Sequence, residues 1–199
     1  MIALVTLRFG SRPYFDVSGP QLERYAARHG YALHISDGSG LPDDRDRRWA
    51  KVPALLQALS AGAQLALYLD ADCVILDEAQ PVTCLTAPLA GRDLLVGRDS
   101  HWNANTGVML VTPRARDILE AWHRVPTHDP ETANVWPVDE LGFNRHVLPA
   151  FKERISVPAR VVGTPTDLVT GPWIRHLMNG TPAEKRARML AALASAEAC

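Results

Sequence analysis

The sequence predicts an α/β protein with a mostly parallel central sheet. Three observations carry this. Apolar runs of strand length alternate with stretches of helical periodicity along most of the chain. Glycines fall where a helix hands over to the next strand. The most conspicuous acidic pair stands directly after an apolar run, where open α/β sheets present their ligand-binding loops.

Ile2 to Leu7 is a continuously apolar first strand. Ser18-Gly19-Pro20-Gln21 has the form of a capping box, opening a helix with Leu22, Tyr25 and Ala26 on one face and Gly30 at its end. Tyr31 to Ile35 is the second strand. Val52, Leu55, Leu56 and Leu59 form the stripe of a second helix, which stops at Gly62. Leu65 to Leu69 is a third strand, and Asp93–Val96 and Gly107–Val111 are two more. Thr112-Pro113 starts a helix that packs Ile118, Leu119 and Trp122 inward. A further helix runs from Asp139 to Leu148. Thr181-Pro182-Ala183-Glu184 is a second capping box, and its helix is expected to turn Ala183, Ala187, Leu190 and Ala194 inward. Residues 124–138 and 158–172, with several prolines, read as loops.

The 199 residues suffice for one domain with a sizeable core, spanning 1–199, and no linker or repeat calls for a second. Apolar residues make up 47% and charged residues 22%, with a net charge of -1, so a nucleic-acid-binding surface is not expected. The charge run Asp43-Asp44-Arg45-Asp46-Arg47-Arg48 reads as a solvated loop. Cys73, Cys84 and Cys199 show no metal-type spacing and no paired framework, which fits free thiols in a reducing compartment. Met1 to Thr6 lacks the basic start of a signal peptide, and no apolar run is long enough to span a bilayer. A cytoplasmic protein without a transmembrane segment is therefore expected.

The chemistry-bearing signal is Tyr68-Leu69-Asp70-Ala71-Asp72-Cys73. If the strand continues through it, alternation puts Asp70 and Asp72 on one face. Two hard oxygen donors there suit Mn²⁺ or Mg²⁺. A solvated turn carrying two acids is the plain alternative. Upstream, Lys51 of Trp49-Ala50-Lys51 stands at a helix N-terminus, where backbone N–H groups favour phosphate. Downstream, Asn105-Thr106-Gly107 precedes a strand. Asn105 offers a donor and an acceptor to sugar hydroxyls, and Gly107 permits close backbone approach; a simple turn would use the same residues. Asp139-Glu140 opens a helix, either as a capping pair or as carboxylates at a reacting carbon. His176 can supply an imidazole to an ion held by Asp72. Lys185, one turn into the last helix, can reach a phosphate or only solvent. Thr6 and Arg8 end the first strand and can face a nucleotide base or diphosphate; Ala71 lies between the paired acids.

Taken in order, these segments resemble the galactosyl- and xylosyltransferase family of retaining GT-A glycosyltransferases, with the glycogenin-like family as nearest rival. Arg24-Tyr25-Ala26-Ala27-Arg28-His29-Gly30-Tyr31, Trp49-Ala50-Lys51, Leu69-Asp70-Ala71-Asp72, Asn105-Thr106-Gly107-Val108 and the late His176 match its motifs. The resemblance implies a single GT-A domain, Rossmann-like, that moves a sugar from a nucleotide-diphospho-sugar, with a UDP-sugar favoured. It implies transfer with retention to an acceptor that the sequence does not name: a glycan, lipid, protein or small molecule. Asp70, Asp72 and His176 would hold Mn²⁺ or Mg²⁺. Thr6, Arg8, Lys51, Asp70, Ala71, Asn105, Gly107 and Lys185 would bind the donor, and Asp139 and Glu140 would serve the reacting sugar. Two departures stand out. Glu140 replaces the family's Gln, and His176 is one residue further from Gly180 than usual. A nucleotidyltransferase, or a silent nucleotide-sugar-binding protein, are the other readings. The first normally carries a glycine-rich basic loop after its first strand, of which Leu7-Arg8-Phe9-Gly10-Ser11-Arg12 is a faint version.

Overall fold

The computed structural model describes residues 1–39, 41, 45–98, 103–126, 138–157 and 173–197. The described chain is a six-stranded sheet with helices on both faces. In chain order its first half is β1 (Ile2–Leu7), α1 (Phe15–His29), β2 (Ala32–Ser36), α2 (Lys51–Ser60), β3 (Leu65–Leu69), β4 (Cys73–Ile75) and a one-turn α3 (Thr86–Leu89). Then come β5 (Leu94–Arg98), β6 (Ala104–Val111), α4 (Arg116–His123), α5 (Val138–Gly142), α6 (Leu148–Phe151), β7 (Ile155–Ser156), β8 (Ile174–His176) and α7 (Pro182–Glu197).

The main sheet has the order β2-β1-β3-β6-β5-β7. The pairs β1–β2, β1–β3 and β5–β7 are parallel; β6 runs against both its neighbours. That reversal matters for the site, because it delivers the start of β6 to the edge where β1 and β3 end. The register of β5 on β6 shifts between Val96 and Gly97, from Met109 to Asn105. Such a bulge re-aims side chains next to it. A second, two-stranded sheet pairs β4 antiparallel with β8, Cys73 opposite His176.

Strand alternation divides the core. Ala3, Val5, Tyr68, Met109 and Val111 pack on one face against Val52 and Leu55 of α2, Ile118 and Trp122 of α4, and Phe143. Leu4, Leu67, Leu69, Val108 and Leu110 pack on the other face with Leu22 and Tyr25 of α1 and with Trp173. The α2 stripe is as expected, with Val52, Leu55 and Leu59 buried and Leu56 packed against the cluster.

Four expectations need correction. The first helix begins at Phe15, before Ser18, because Phe15 and Val17 are themselves buried. Ser18 is no cap; its hydroxyl donates to the Ala71 carbonyl at 2.7 Å. The Thr181 capping box does form, with Glu184 N–H donating to Thr181 Oγ1 at 3.3 Å and Thr181 N–H to Glu184 Oε2 at 2.7 Å. Yet α7 turns Met189, Ala192 and Leu193 inward, toward Val17, Val74 and Leu177. Leu190 is 43% exposed, and Ala183, Ala187 and Ala194 also face solvent. The helix expected from Asp139 to Leu148 is interrupted by a π turn at Phe143–Val147 between α5 and α6. Finally, β3 stops at Leu69, so Asp70 and Asp72 sit in a turn closed by Cys73 N–H donating to the Asp70 carbonyl at 2.9 Å.

Cys73 and Cys84 are free thiols, and Cys199 lies outside the described residues. So do most of the two segments read as loops, 127–137 and 158–172. Among the described residues no helix is long and apolar enough to cross a membrane.

Candidate active site

A cleft of about 1240 Å³ opens along the ends of β1 and β3 and the start of β6. Asp70, Ala71, Asp72, Lys51, Asn105, Asp139, Glu140, His176 and Lys185 all line it. Residues from six separate elements of the fold thus meet in one space.

The β3–β4 turn and β8 build its centre. The β4–β8 pairing sets His176 beside the turn, and Leu177 N–H locks the alignment by donating to the Asp72 carbonyl at 2.9 Å. His176 Nε2 lies 3.1 Å from Asp72 Oδ1 and 3.7 Å from Asp70 Oδ2. Burial would lower the His176 pKa, but the Asp72 carboxylate beside it raises it overall. Asp72 is also desolvated, yet His176 and Lys185 hold its carboxyl far below the usual carboxylate range. Lys185 Nζ donates to the other Asp72 oxygen, Oδ2, and lies over the Tyr14 ring.

The chemistry of this donor set suits a hard divalent cation. Cis ligands of an octahedral ion with bonds of ~2.1 Å lie about 3 Å apart, close to the Asp72–His176 spacing. Cys73 is near enough to be considered with Asp72 and His176. However, burial pushes its thiol pKa well up, and its Sγ donates to the Gly107 carbonyl at 3.6 Å. The fitting set is therefore Asp70, Asp72 and His176, two carboxylates and an imidazole.

Gly107 has a different place from the one expected. It does not line the cleft. A Cβ at this position would lie 2.1 Å from His176 Cε1 and 2.9 Å from Asp70 Oδ2, so its lack of a side chain makes room for the imidazole.

Beside this centre is a second buried group. Lys51, 2% exposed, donates to Asp139 Oδ2 at 2.8 Å and lies 3.5 Å from Asp70 Oδ1. Burial alone would lower its pKa, but Asp139 and Asp70 raise it, so the amine stays charged. The Tyr68 hydroxyl donates to Asp70 Oδ1 at 2.5 Å. Trp122 Nε1 donates to the Asp139 carbonyl at 3.2 Å, tying α5 to α4. Asp139 Oδ1 is buried and has no hydrogen-bond partner among the described residues.

Glu140 Oε2 accepts from Asn105 Nδ2 at 2.8 Å and from Thr106 N–H at 3.2 Å. A position at a helix start predicts an ionised Glu140. Burial, followed by the neighbouring Asp139, works against this and pushes the Glu140 pKa up to about 7.

Thr6 and Arg8 do not reach the cleft. Thr6 is fully buried, and Arg8 is turned outward with its guanidinium 5.2 Å from the Phe15 ring centre. The following loop supplies the lining instead, through Phe9, Gly10, Ser11, Arg12 and Tyr14. Sequence reasoning also passed over Tyr68 and Trp122, whose polar atoms hold Asp70 and Asp139. The signal for Tyr68 is its position near the end of an apolar strand, two residues before the acid of the turn that follows.

No family profile matches the sequence, and no curated protein matches it. Solved structures do. A glycosyltransferase involved in glycosylation of the major capsid of PBCV-1 is 18% identical, with a TM-score of 0.75 over 96% of this chain and 98% of that one. The glycosyltransferase GlyE of Streptococcus pneumoniae is 13% identical, with a TM-score of 0.60 over 98% of this chain and 63% of that one. A mutant of Drosophila β1,4-galactosyltransferase 7, in a complex with manganese, UDP-Gal and xylobiose, is 14% identical, with a TM-score of 0.50 over 89% of this chain and 71% of that one. The mixed α/β architecture is the GT-A fold.

Proposed function

We propose that this chain is a glycosyltransferase that takes a sugar from a nucleotide-diphospho-sugar and passes it to an acceptor hydroxyl. The observation that carries the reading is the convergence of Asp70, Asp72 and His176 in the cleft of a GT-A fold. These three would hold Mn²⁺ or Mg²⁺, which supplies charge neutralisation for a departing nucleoside diphosphate. Manganese and UDP-Gal in the Drosophila neighbour support that choice of ion and donor.

The chain's own residues then divide the work. Lys185 and Arg12 line the cleft with positive charge suited to phosphate oxygens. Phe9 and Tyr14 offer flat apolar surface for a base, the place the sequence had given to Thr6 and Arg8. Lys51 fixes Asp139, which lines the cleft and whose second oxygen, without a hydrogen-bond partner among the described residues, suits a donor-sugar hydroxyl. Glu140 is held by Asn105 and Thr106 with a pKa near the working range, so its carboxylate can face a developing oxocarbenium charge or attack it. Attack by a carboxylate, followed by the acceptor, gives retention by two inversions; a front-face route gives retention with Glu140 only stabilising charge.

Thermal unfolding with UDP-, GDP- and dTDP-sugars, each with and without Mn²⁺, tests this reading. A ligand that binds only the native state must raise its stability. The expected result is stabilisation by one nucleotide class that depends on Mn²⁺, followed by release of nucleoside diphosphate on incubation. Stabilisation without any turnover of donor would identify a silent binding protein instead. No response to any nucleotide-sugar would remove the proposal.

A further inference from the structure

Asn105 lies 6% exposed at the start of β6, and both polar atoms of its side chain are engaged. Its Oδ1 accepts from Gly107 N–H at 3.0 Å, and a backbone N–H can only donate, so the orientation of the amide is fixed. The same oxygen is 3.1 Å from His176 Nδ1. That ring nitrogen must therefore carry a proton. The nitrogen left for a ligand bond is Nε2, the one facing Asp72 Oδ1 at 3.1 Å. On its other side, Asn105 Nδ2 donates to Glu140 Oε2 at 2.8 Å and to Met178 Sδ at 3.0 Å.

We infer that Asn105 is a positioning residue rather than a sugar ligand: its carbonyl sets the ring orientation and tautomer of His176, and its NH₂ group aims the Glu140 carboxylate. One amide thereby couples the cation centre to the sugar centre. Asparagine suits the position because both an acceptor and a donor are needed. Aspartate keeps the acceptor and loses the donor; alanine loses both. Ligating histidines gain affinity and a fixed tautomer from such partners. The inference rests on the proposal that Asp70, Asp72 and His176 hold the ion.

The test is a Mn²⁺ titration of the full chain without donor, followed by the electron paramagnetic resonance of free Mn²⁺, for the wild type and for Asn105→Ala, Asn105→Asp and His176→Ala. Thermal unfolding of each variant checks that it is folded. Asn105→Ala is expected to weaken Mn²⁺ binding by about 10-fold or more, the scale for losing such a partner. Asn105→Asp should bind Mn²⁺ as well as the wild type or more tightly, since it retains the oxygen facing Nδ1. It should still lose about 10²-fold in kcat, because that carboxylate now opposes Glu140. A purely structural role would move both variants together. If Asn105→Ala binds Mn²⁺ like the wild type while His176→Ala does not, the positioning role is overturned and the cation centre stands. Equal loss of Mn²⁺ in folded Asn105→Asp and Asn105→Ala also overturns it. If His176→Ala binds as tightly as the wild type, the cation centre itself is wrong and the inference falls with it.

Discussion

Lys51 Nζ stands 2.8 Å from Asp139 Oδ2, and both side chains are almost wholly out of solvent. A charge pair removed from water is held by its partners, and cutting one side leaves the other stranded. Lys51→Met should therefore destabilise the fold by ~3–5 kcal/mol in denaturant unfolding, the scale for breaking such a pair. The double change Lys51→Met with Asp139→Leu should recover most of that loss. Failure to recover would show that Lys51 contributes through Asp70 and Tyr68 rather than through Asp139.

Glu140→Gln keeps the size of the side chain and removes its charge. Between the ordinary carboxylate range and about 7, the folded protein holds a proton on Glu140 that the unfolded chain has released. A raised folded pKa contributes stability at low pH that is lost as pH rises through about 7. The Gln variant should accordingly match the wild type near pH 4 and melt at a higher temperature than the wild type near pH 8. If the ionised carboxylate serves the reaction, wild-type kcat should rise through about 7, and the variant should lose the limb and ~10²-fold in rate. A variant as fast as the parent would leave Glu140 as a sugar ligand only.

Gly107→Ala adds a methyl where the His176 ring already lies. The imidazole has to move, since the opposing atoms are a ring edge and a carboxylate. Mn²⁺ affinity should fall at least 10-fold, as for loss of an outer partner or more. Pairing of His176→Ala with Gly107→Ala should show no further loss. An additive loss in the double variant would mean that the glycine matters for β6 itself.

Lys185 and a divalent ion make claims on the same Asp72 carboxylate. Lys185→Met should therefore tighten binding of Mn²⁺ alone, while weakening the binding of UDP in the presence of Mn²⁺. Unchanged Mn²⁺ affinity in the variant would show that the ammonium does not compete with the ion.

Much of this was legible in the sequence because the pieces are long. The α2 stripe and the β3 run have enough residues for their period to show, and both formed as expected. The short pieces hid. β4 and β8 have three residues each, too few to carry a pattern, and they make sense only as a pair more than ninety positions apart. Their pairing is what brings His176 to Asp72. Ser18-Gly19-Pro20-Gln21 had the letters of a cap, but burial of Phe15 extended the helix past it. The last helix misled for a related reason: alanines fit either face, and Met189 and Leu193 found the groove beside Val74. At Glu140, the local effect of a helix start gave way to burial and a neighbouring acid, which no short window of sequence reveals.

The pairing of β4 with β8 also has a consequence for the order of events as the chain folds. Asp72 and His176 are separated by 104 positions, so their contact closes a long loop around most of the sheet. Contacts between such distant positions form only after the loop entropy has been offset elsewhere. Trp122 packs with Phe143 in the first core, whereas Trp173 joins the opposite face next to β8. Refolding followed separately at these two tryptophans, each with the other four indoles replaced, should show Trp122 reaching its native signal first. The protein would then pass through a state that has its sheet but no working centre, and a cation that bridges the turn to β8 should shorten the life of that state. Identical traces from both probes, unaffected by Mn²⁺, would show instead that centre and sheet assemble in one step.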